Sequence, residues 1–330
     1  MKAILHSMRI INVHGLRAFA AFLVVLFHVD LNVVENGFSV PVLHNIFKIG
    51  NSGVDIFFVL SGFVMIVSNW EKKISMLGFF SRRLVRILPL YLILTLTYYL
   101  IAVIVPFLIP NINVNFKWFL SSVTFTTAIF GYKAPILGQG WTLEYEMLFY
   151  LLFSISLIFK NNFKKLTFMF SVVLFGVLFG ISTLFLEFAF GMLAGYLHKQ
   201  KQFTNLQGLL LSLVGFSLLI SNSLNLLPEL DRVLIYGIPS LLLILGLATT
   251  KQTSNKILRK LGDSSYSLYL SQFFIIPLIF KFESVIKNLV SNSTIVVIVV
   301  SVVTLIFGHF VYLLVEKPLT KLTRSYLLPR

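Results

Sequence analysis

The chain has 330 residues, of which 57% are hydrophobic and only 12% are charged, and its formal net charge is +15. Soluble domains carry about 25% charged residues, so the composition excludes a water-exposed surface of the usual kind and predicts an all-α integral membrane protein. Cysteine is absent, which excludes disulfides, zinc–thiolate sites and cysteine nucleophiles.

Ten apolar segments approach the about 20 residues that a helix needs to cross a bilayer. They lie near residues 14–34, 49–69, 85–108, 141–159, 166–183, 184–198, 206–224, 232–250, 264–281 and 293–316. The first is too long for the apolar part of a signal peptide, so we expect it to stay as a membrane helix. The stretch 116–131 is apolar but short, which predicts an interfacial or re-entrant segment.

The loops between these segments alternate in charge. Of the 27 lysines and arginines, 21 fall in one set of alternate loops and 6 in the other. By the positive-inside rule, this predicts that both termini are cytoplasmic, and it explains the net charge without nucleic-acid binding. No linker or repeat interrupts the pattern, which predicts a single domain over 1–330 with no appended soluble domain.

Ionisable residues occur inside the predicted spans, where each costs about 2.5–3.5 kcal/mol on insertion scales. In the first span, Arg17 and His28 are eleven residues apart, which places them on one helix face roughly 16 Å apart. The second span contains Asp55 among apolar residues. A snorkelling arginine and a hydrogen-bonded histidine would explain the first pair without any catalytic role.

A cationic helix start precedes the third span, where Arg82, Arg83 and Arg86 follow one another in SRRLVRILPLY. Cytoplasmic anchoring would account for positive charge here. Arginine rather than lysine, however, favours forked recognition of phosphate.

Polar residues also mark three later spans. The fourth begins with Trp141 and then carries Glu146; the ninth contains Tyr266 and Gln272; the last ends at Glu316. An interfacial aromatic belt would explain the tyrosines and Trp141 alone.

The predicted topology divides these polar residues into two layers. His28, Asp55 and Glu146 lie roughly 8–9 Å below the outer surface, by helical rise. The other layer lies on the cytoplasmic side and comprises Arg17, Arg82, Arg83, Arg86 and Glu316. A histidine beside a carboxylate suits general-base catalysis, and the arginines suit the phosphates of a cytosolic donor such as coenzyme A. Direct attack by an acceptor hydroxyl fits better than a serine acyl-enzyme, because no nucleophile elbow is present.

Six motifs in order resemble the bacterial acyltransferase 3 family of membrane-bound O-acyltransferases over essentially the whole chain. They are LRAFAAFLVVLFH, GVDIFFVLSGF, RRLVRILPLY, WTLEYEMLFY, SYSLYLSQ and VEKP. The resemblance implies transfer of an acyl group, usually acetyl from acetyl-CoA, to a hydroxyl of a cell-surface glycan such as O-antigen. Members commonly carry histidine where this chain has Gln272, which leaves His28 as the proton acceptor and Gln272 as a positioning residue.

The resemblance also implies roles by matching position. His28, Asp55 and Glu146 are assigned to catalysis. Arg17, Arg82, Arg83, Arg86 and Tyr266 are assigned to the donor. Trp141, Gln272 and Glu316 are assigned to the acceptor or to positioning. The expected location is the bacterial inner membrane. The expected partners are acyl-CoA, a glycan or lipid-linked sugar and membrane lipid, and a homo-oligomer is compatible with the sequence. No permanently bound cofactor or metal is expected.

A proton-coupled transporter is the main alternative, since buried His, Asp and Glu would serve it too. A purely structural membrane protein is a third interpretation.

Overall fold

A computed structural model describes residues 10–69, 74–109, 113–200 and 203–327. These residues form fourteen α-helices, and the described chain contains no strand, which confirms the predicted all-α class. The helices are α1 (Ile11–Glu35), α2 (His44–Phe47), α3 (Gly53–Asn69), α4 (Met76–Ile104), α5 (Phe116–Val123), α6 (Trp141–Ser156), α7 (Asn162–Leu178), α8 (Leu186–Lys199), α9 (Asn205–Ser223), α10 (Ile238–Thr249), α11 (Lys256–Phe280), α12 (Glu283–Leu289), α13 (Ser293–Val311) and α14 (Lys317–Leu327).

Fewer helices than predicted are long and apolar enough to cross a membrane. Five pass by length and composition among the described residues, or six if α11 and α12, which meet at a 71° bend, form one broken span. Every predicted segment contains a helix, but α6, α7, α8 and α10 have only 16, 17, 14 and 12 residues. Hydropathy marked apolar stretches correctly, whereas turns at their ends shortened the helices inside them.

Helix starts follow from local side-chain caps. Asn161 accepts from the backbone N–H of Phe163 at 2.7 Å and so opens α7. Thr204 and Gln207 form a reciprocal capping box at the start of α9. Each cap satisfies donors that have no partner within the helix, so the chain enters these apolar segments at a defined residue.

Close packing of α3 against α8 depends on glycine. A Cβ added at Gly62 would lie 2.1 Å from the Phe188 carbonyl oxygen, and one at Gly191 would lie 1.9 Å from the Val59 carbonyl oxygen. Small residues allow membrane helices to approach in this way. The rings of Phe58 and Phe188 also pack at a tilt, with centroids 4.9 Å apart. Helices α3 and α8 are therefore in close contact along their length.

The predicted interfacial segment folds back onto the bundle. Its only helix among the described residues, α5, has eight residues, which is too short to span. Tyr91 of α4 donates to the Ser122 carbonyl at 3.0 Å, and Glu144 of α6 accepts from the Thr127 backbone N–H at 3.1 Å. The segment is therefore fastened to α4 and α6 and leads into the 3-10 turn Gly138–Gly140.

Two π-helical turns interrupt the regular helices at charged residues. Val233–Gly237 directly follows Arg232, and Tyr312–Glu316 ends at Glu316. Such turns are frequent at functional sites.

Six of the 27 lysines and arginines whose alternation predicts the topology lie outside the described residues. They are Lys2, Arg9, Lys72, Lys73, Lys201 and Arg330.

Candidate active site

Two adjacent cavities lie among α1, α3, α4, α6 and α11. The arginine cavity has a volume of about 80 Å³, and its lining includes Arg17, Arg83, Arg86, Glu146, Tyr150 and Tyr266. The histidine cavity has a volume of about 430 Å³, and its lining includes His28, Gln139, Trp141, Arg232 and Gln272. Val54 and Tyr269 line both. The cavities therefore meet at these two side chains.

Three arginines converge on the first cavity from two helices. Arg83 and Arg86 share a face of α4 because they are three residues apart, and Arg17 reaches the same space from α1. The Arg83 guanidinium lies over the rings of Phe79 and Tyr150, 5.4 Å from each centroid. No carboxylate among the described residues forms an ion pair with any of the three. Three guanidinium groups outnumber Glu146, the one carboxylate among the described lining residues, so the cavity offers net positive charge suited to an anionic ligand.

Arg82 differs from its neighbours. Its side chain is exposed and does not line the cavity. One residue corresponds to a rotation of about 100° around a helix, so Arg82 points away where Arg83 points inward. The predicted grouping of Arg82 with the donor-binding arginines therefore differs from the structure.

Glu146 lies in the arginine cavity rather than beside His28. Its carboxylate accepts a hydrogen bond from Ser61 at 2.8 Å and another from the Tyr150 hydroxyl. The reason is that Trp141, the first residue of α6, already lines the histidine cavity. Five further residues carry the helix roughly 7.5 Å deeper, which brings Glu146 to the arginines.

His28 is oriented by its own helix. Its Nδ1 lies 2.8 Å from the Val24 carbonyl oxygen. Because a carbonyl can only accept, Nδ1 carries the proton and Nε2 presents a lone pair. A backbone carbonyl thus takes the place of the carboxylate expected beside the imidazole.

Asp55 is held by Arg232 instead. Arg232 Nε and Nη2 donate to the two Asp55 carboxylate oxygens at 3.0 and 2.7 Å. Arg232 also donates to the Asn51 side-chain and backbone oxygens at 2.9 and 2.8 Å. Asp55 is completely buried. This forked pair joins the first turn of α3 to the residue before the π turn and fixes one wall of the histidine cavity.

The aromatic residues divide between the cavities. The Tyr266 hydroxyl donates to the Ile87 carbonyl at 2.9 Å on the arginine side. Trp141 faces the histidine cavity and meets Phe58 edge-on, with centroids 6.2 Å apart. Tyr269 donates to the Gln139 carbonyl at 3.2 Å, which closes the wall that the cavities share.

Gln272 and Glu316 are both buried, at different places. Gln272 is 0% exposed and lines the histidine cavity, where its Nε2 donates to the Tyr269 carbonyl at 2.9 Å. Glu316 accepts from the Ser267 hydroxyl at 2.5 Å. It lies close enough to Arg17 and Arg86 for their charges to interact, so it supports the arginine side without lining the cavity.

Comparison with known families gives this geometry a context. Residues 10–313 match the family described as an acyltransferase domain. The chain belongs to the acyltransferase 3 family. It is an acyltransferase, and it is embedded in a membrane as the family is, which confirms the resemblance found in the motifs.

Curated relatives of this acyltransferase cover it to different extents. The exopolysaccharide production protein ExoZ of Rhizobium meliloti is 33% identical over 304 residues, covering 84% of this chain and 92% of the relative. The peptidoglycan O-acetyltransferase OatA of Listeria monocytogenes is 28% identical over 159 residues, covering 43% of this chain and 23% of that protein. The O-acetyltransferase OatA of Staphylococcus aureus is 28% identical over 166 residues, covering 44% and 24%. No solved structure matches the chain.

Sequence reasoning missed several polar residues of this acyltransferase. The sequence patterns treat Arg232 as one of the loop cations and do not mark it as a site residue. They also do not mark Glu187, which is completely buried at the start of α8. An acid within an apolar segment is a usable signal, and it could have found Glu187. Ser61 and Tyr150 carry no such signal, because hydroxyl groups are common in membrane helices.

The Asp55–Arg232 pair makes a testable contribution to stability. Replacing Asp55 with asparagine removes the carboxylate that accepts two hydrogen bonds from Arg232. The Arg232 side chain is 32% exposed, so the cost should lie below the about 3–5 kcal/mol of a fully buried pair. We expect a lower thermal unfolding temperature for purified Asp55→Asn protein in detergent.

Two further variants control this experiment. Asp231→Asn changes the neighbouring exposed aspartate and should leave the unfolding temperature close to that of wild type. The double variant Asp55→Asn with Arg232→Gln should recover part of the loss, because the guanidinium that lost its carboxylate partner is removed as well. An Asp55→Asn protein as stable as wild type would contradict the structural role of the pair.

Proposed function

We propose that this acyltransferase moves an acetyl or other short acyl group from acyl-CoA to a hydroxyl of a cell-surface glycan, with His28 as general base. The observation that carries the proposal is the pair of adjacent cavities. One holds three arginines, none of which forms an ion pair with a carboxylate of the described residues, and the other holds the His28 imidazole, whose Nδ1 is bonded to the Val24 carbonyl.

The donor fits the arginine cavity by charge. Coenzyme A carries phosphate groups, and arginine forks bind phosphate through paired N–H donors. Tyr266, which lines the same cavity, is placed with the donor. The thioester would then point from the arginines toward the junction at Val54 and Tyr269, where the second cavity begins.

The transfer step follows from the position of His28. The acceptor hydroxyl oxygen attacks the thioester carbonyl carbon while His28 Nε2 takes the hydroxyl proton. The carbon–sulfur bond then breaks, an ester forms on the acceptor, and the thiolate of coenzyme A leaves and takes the proton from the imidazolium. The Val24 carbonyl stabilises the imidazolium through the proton on Nδ1. Arg232, Asp55, Trp141 and Gln272 shape the acceptor side.

The relatives favour a polysaccharide acceptor. ExoZ is named for exopolysaccharide production, and the Listeria OatA is named for peptidoglycan O-acetylation. A nascent or lipid-linked O-antigen or exopolysaccharide sugar is accordingly the proposed acceptor, and the bacterial inner membrane is the proposed location, because donor and lipid-linked sugars meet there.

We further propose ten membrane crossings with both termini in the cytoplasm. The alternation of 21 and 6 cations among the loops supports this count. The four short helices α6, α7, α8 and α10 would cross by local thinning of the bilayer, a modest cost.

Single-cysteine labelling tests the topology without removing any native cysteine. A cysteine at exposed Lys160, between α6 and α7, should react with an impermeant maleimide only in inside-out vesicles. A cysteine at Leu226, which is 69% exposed, should react only from the opposite side. Labelling of both from one side would contradict the ten-span arrangement.

Mass spectrometry of surface glycans tests the function. Cells that express the gene should contain glycans that are heavier by one acyl group per modified sugar than glycans of cells without it. Purified protein should transfer label from acetyl-CoA to the unmodified glycan. Unaltered glycans together with uptake or export of a small solute would favour a transporter instead.

A further inference from the structure

Two buried amide oxygens face the histidine cavity without a hydrogen-bond donor. The side chains of Gln139 and Gln272 both line this cavity, and they are only 9% and 0% exposed. The Oε1 atom of each has no partner among the described residues. A buried acceptor without a donor is unfavourable, so a ligand that fills this cavity gains by supplying one.

A side-chain hydrogen bond orients the Gln272 amide, and backbone hydrogen bonds hold Gln139 in place. Gln272 Nε2 donates to the Tyr269 carbonyl at 2.9 Å, which leaves its Oε1 as the group available to a ligand. The Gln139 backbone oxygen accepts from the Thr142 hydroxyl at 3.1 Å and from the Tyr269 hydroxyl at 3.2 Å. Both residues therefore lie where the start of α6 is hydrogen-bonded to α11.

The proton state of His28 adds a third acceptor to the same space. With Nδ1 bonded to the Val24 carbonyl, Nε2 of the neutral imidazole accepts a hydrogen bond. The cavity thus presents Nε2 of His28 and Oε1 of two glutamines, three sites that each require a donated hydrogen. Hydroxyl groups can supply it, whereas carboxylate and phosphate oxygens are acceptors only.

No free cation in the cavity compensates an anionic ligand. Among the residues that the structure describes, Arg232 is the only arginine or lysine that lines it. Its Nε, Nη1 and Nη2 already donate to Asp55 and Asn51 at distances of 2.7 to 3.0 Å. Because Asp55 neutralises this guanidinium, a negatively charged sugar would lose its hydration without gaining a partner.

Resting on the proposed function, we propose that the histidine cavity selects an uncharged sugar ring as acceptor. One hydroxyl donates to His28 Nε2 and is acylated, while other hydroxyls of the same ring donate to Gln139 and Gln272. The Trp141 ring supplies an apolar face for the carbon side of the sugar. Uronic acids and phosphorylated sugars are excluded from this position.

Methionine replacements test the two glutamines, since methionine keeps the length of the side chain but removes its hydrogen bonds. The acceptor is surface polysaccharide purified from cells that lack the gene, and the donor is radiolabelled acetyl-CoA. For Gln139→Met and Gln272→Met, we expect the KM for polysaccharide to rise about 3- to 10-fold each, the amount that loss of one neutral hydrogen bond produces. The KM for acetyl-CoA should not change.

Gln200→Met is the matched control, because Gln200 is exposed at the end of α8 and outside both cavities. It should leave both KM values unchanged. If Gln139→Met and Gln272→Met also leave the polysaccharide KM unchanged, the hydrogen-bonding role of these residues is overturned.

Mapping the label tests the charge of the acceptor directly. Fragments of the labelled polysaccharide are sequenced by tandem mass spectrometry to find the residue that carries the acetyl group. Acetyl on uncharged residues supports the proposal, and acetyl mainly on uronic acids or phosphorylated residues overturns it while the proposed function stands. Absence of transfer to any glycan by active, folded protein would overturn the proposed function itself.

Discussion

His28→Ala is expected to lower the rate of acyl transfer by about 10²- to 10⁴-fold, the usual contribution of a general base. The variant removes Nε2, the atom that would accept the proton of the attacking hydroxyl, and leaves the arginine cavity intact because His28 does not line it. Acetyl-CoA binding should therefore be unchanged. Transfer of labelled acetyl to polysaccharide and equilibrium binding of acetyl-CoA measure the two effects separately.

A second histidine serves as control for this experiment. His198 lies near the end of α8, where its ring packs 5.7 Å from that of Phe63, and it lines neither cavity. His198→Ala should keep nearly the full rate. Wild-type transfer by the His28→Ala protein would exclude His28 as the base, and loss of acetyl-CoA binding would indicate a structural role instead.

Arg83→Ala and Arg86→Ala are each expected to weaken acetyl-CoA binding by about 10- to 100-fold, because a hydrogen bond to a charged group contributes about 1.5–3 kcal/mol. Arg83→Lys should recover binding only in part, since lysine lacks the planar fork. Equilibrium binding of acetyl-CoA at constant ionic strength measures the change.

Arg82 provides a matched control in the same helical turn. It has the same charge as Arg83 and the same predicted position at the cytoplasmic boundary, but its side chain is exposed. Arg82→Ala should bind acetyl-CoA almost as wild type does. If Arg82→Ala and Arg83→Ala weaken binding equally, the arginines act through general positive charge or topology and not through contact with the donor.

Much of the fold follows from local features of the sequence. The apolar segments predict where helices lie, and the three-residue spacing of Arg83 and Arg86 predicts a shared face. Helix length is less well determined, because a turn after Ser156 and a π turn after Arg232 use residues that hydropathy assigns to the span. Hence ten apolar segments correspond to five or six helices of full spanning length.

The site was only partly predictable for a related reason. Helix rotation decides that Arg83 faces inward and Arg82 outward, and this rotation depends on the packing of α4 against α6, where Phe79 contacts Tyr150 and Phe153. The depth of Glu146 depends on where α6 begins relative to α1, which is a tertiary property. The Asp55 partner lies 177 residues away, and single-sequence patterns contain no information about such a pairing.

The wall that Val54 and Tyr269 form between the two cavities has a kinetic consequence. In the proposed function, donor and acceptor occupy separate cavities that meet only at these two side chains. Neither substrate therefore blocks the entrance of the other. Free coenzyme A should compete with acetyl-CoA but give noncompetitive inhibition against polysaccharide, and initial-rate plots should intersect. Parallel lines would instead indicate that the donor departs, leaving its acyl group on the protein, before the acceptor reacts.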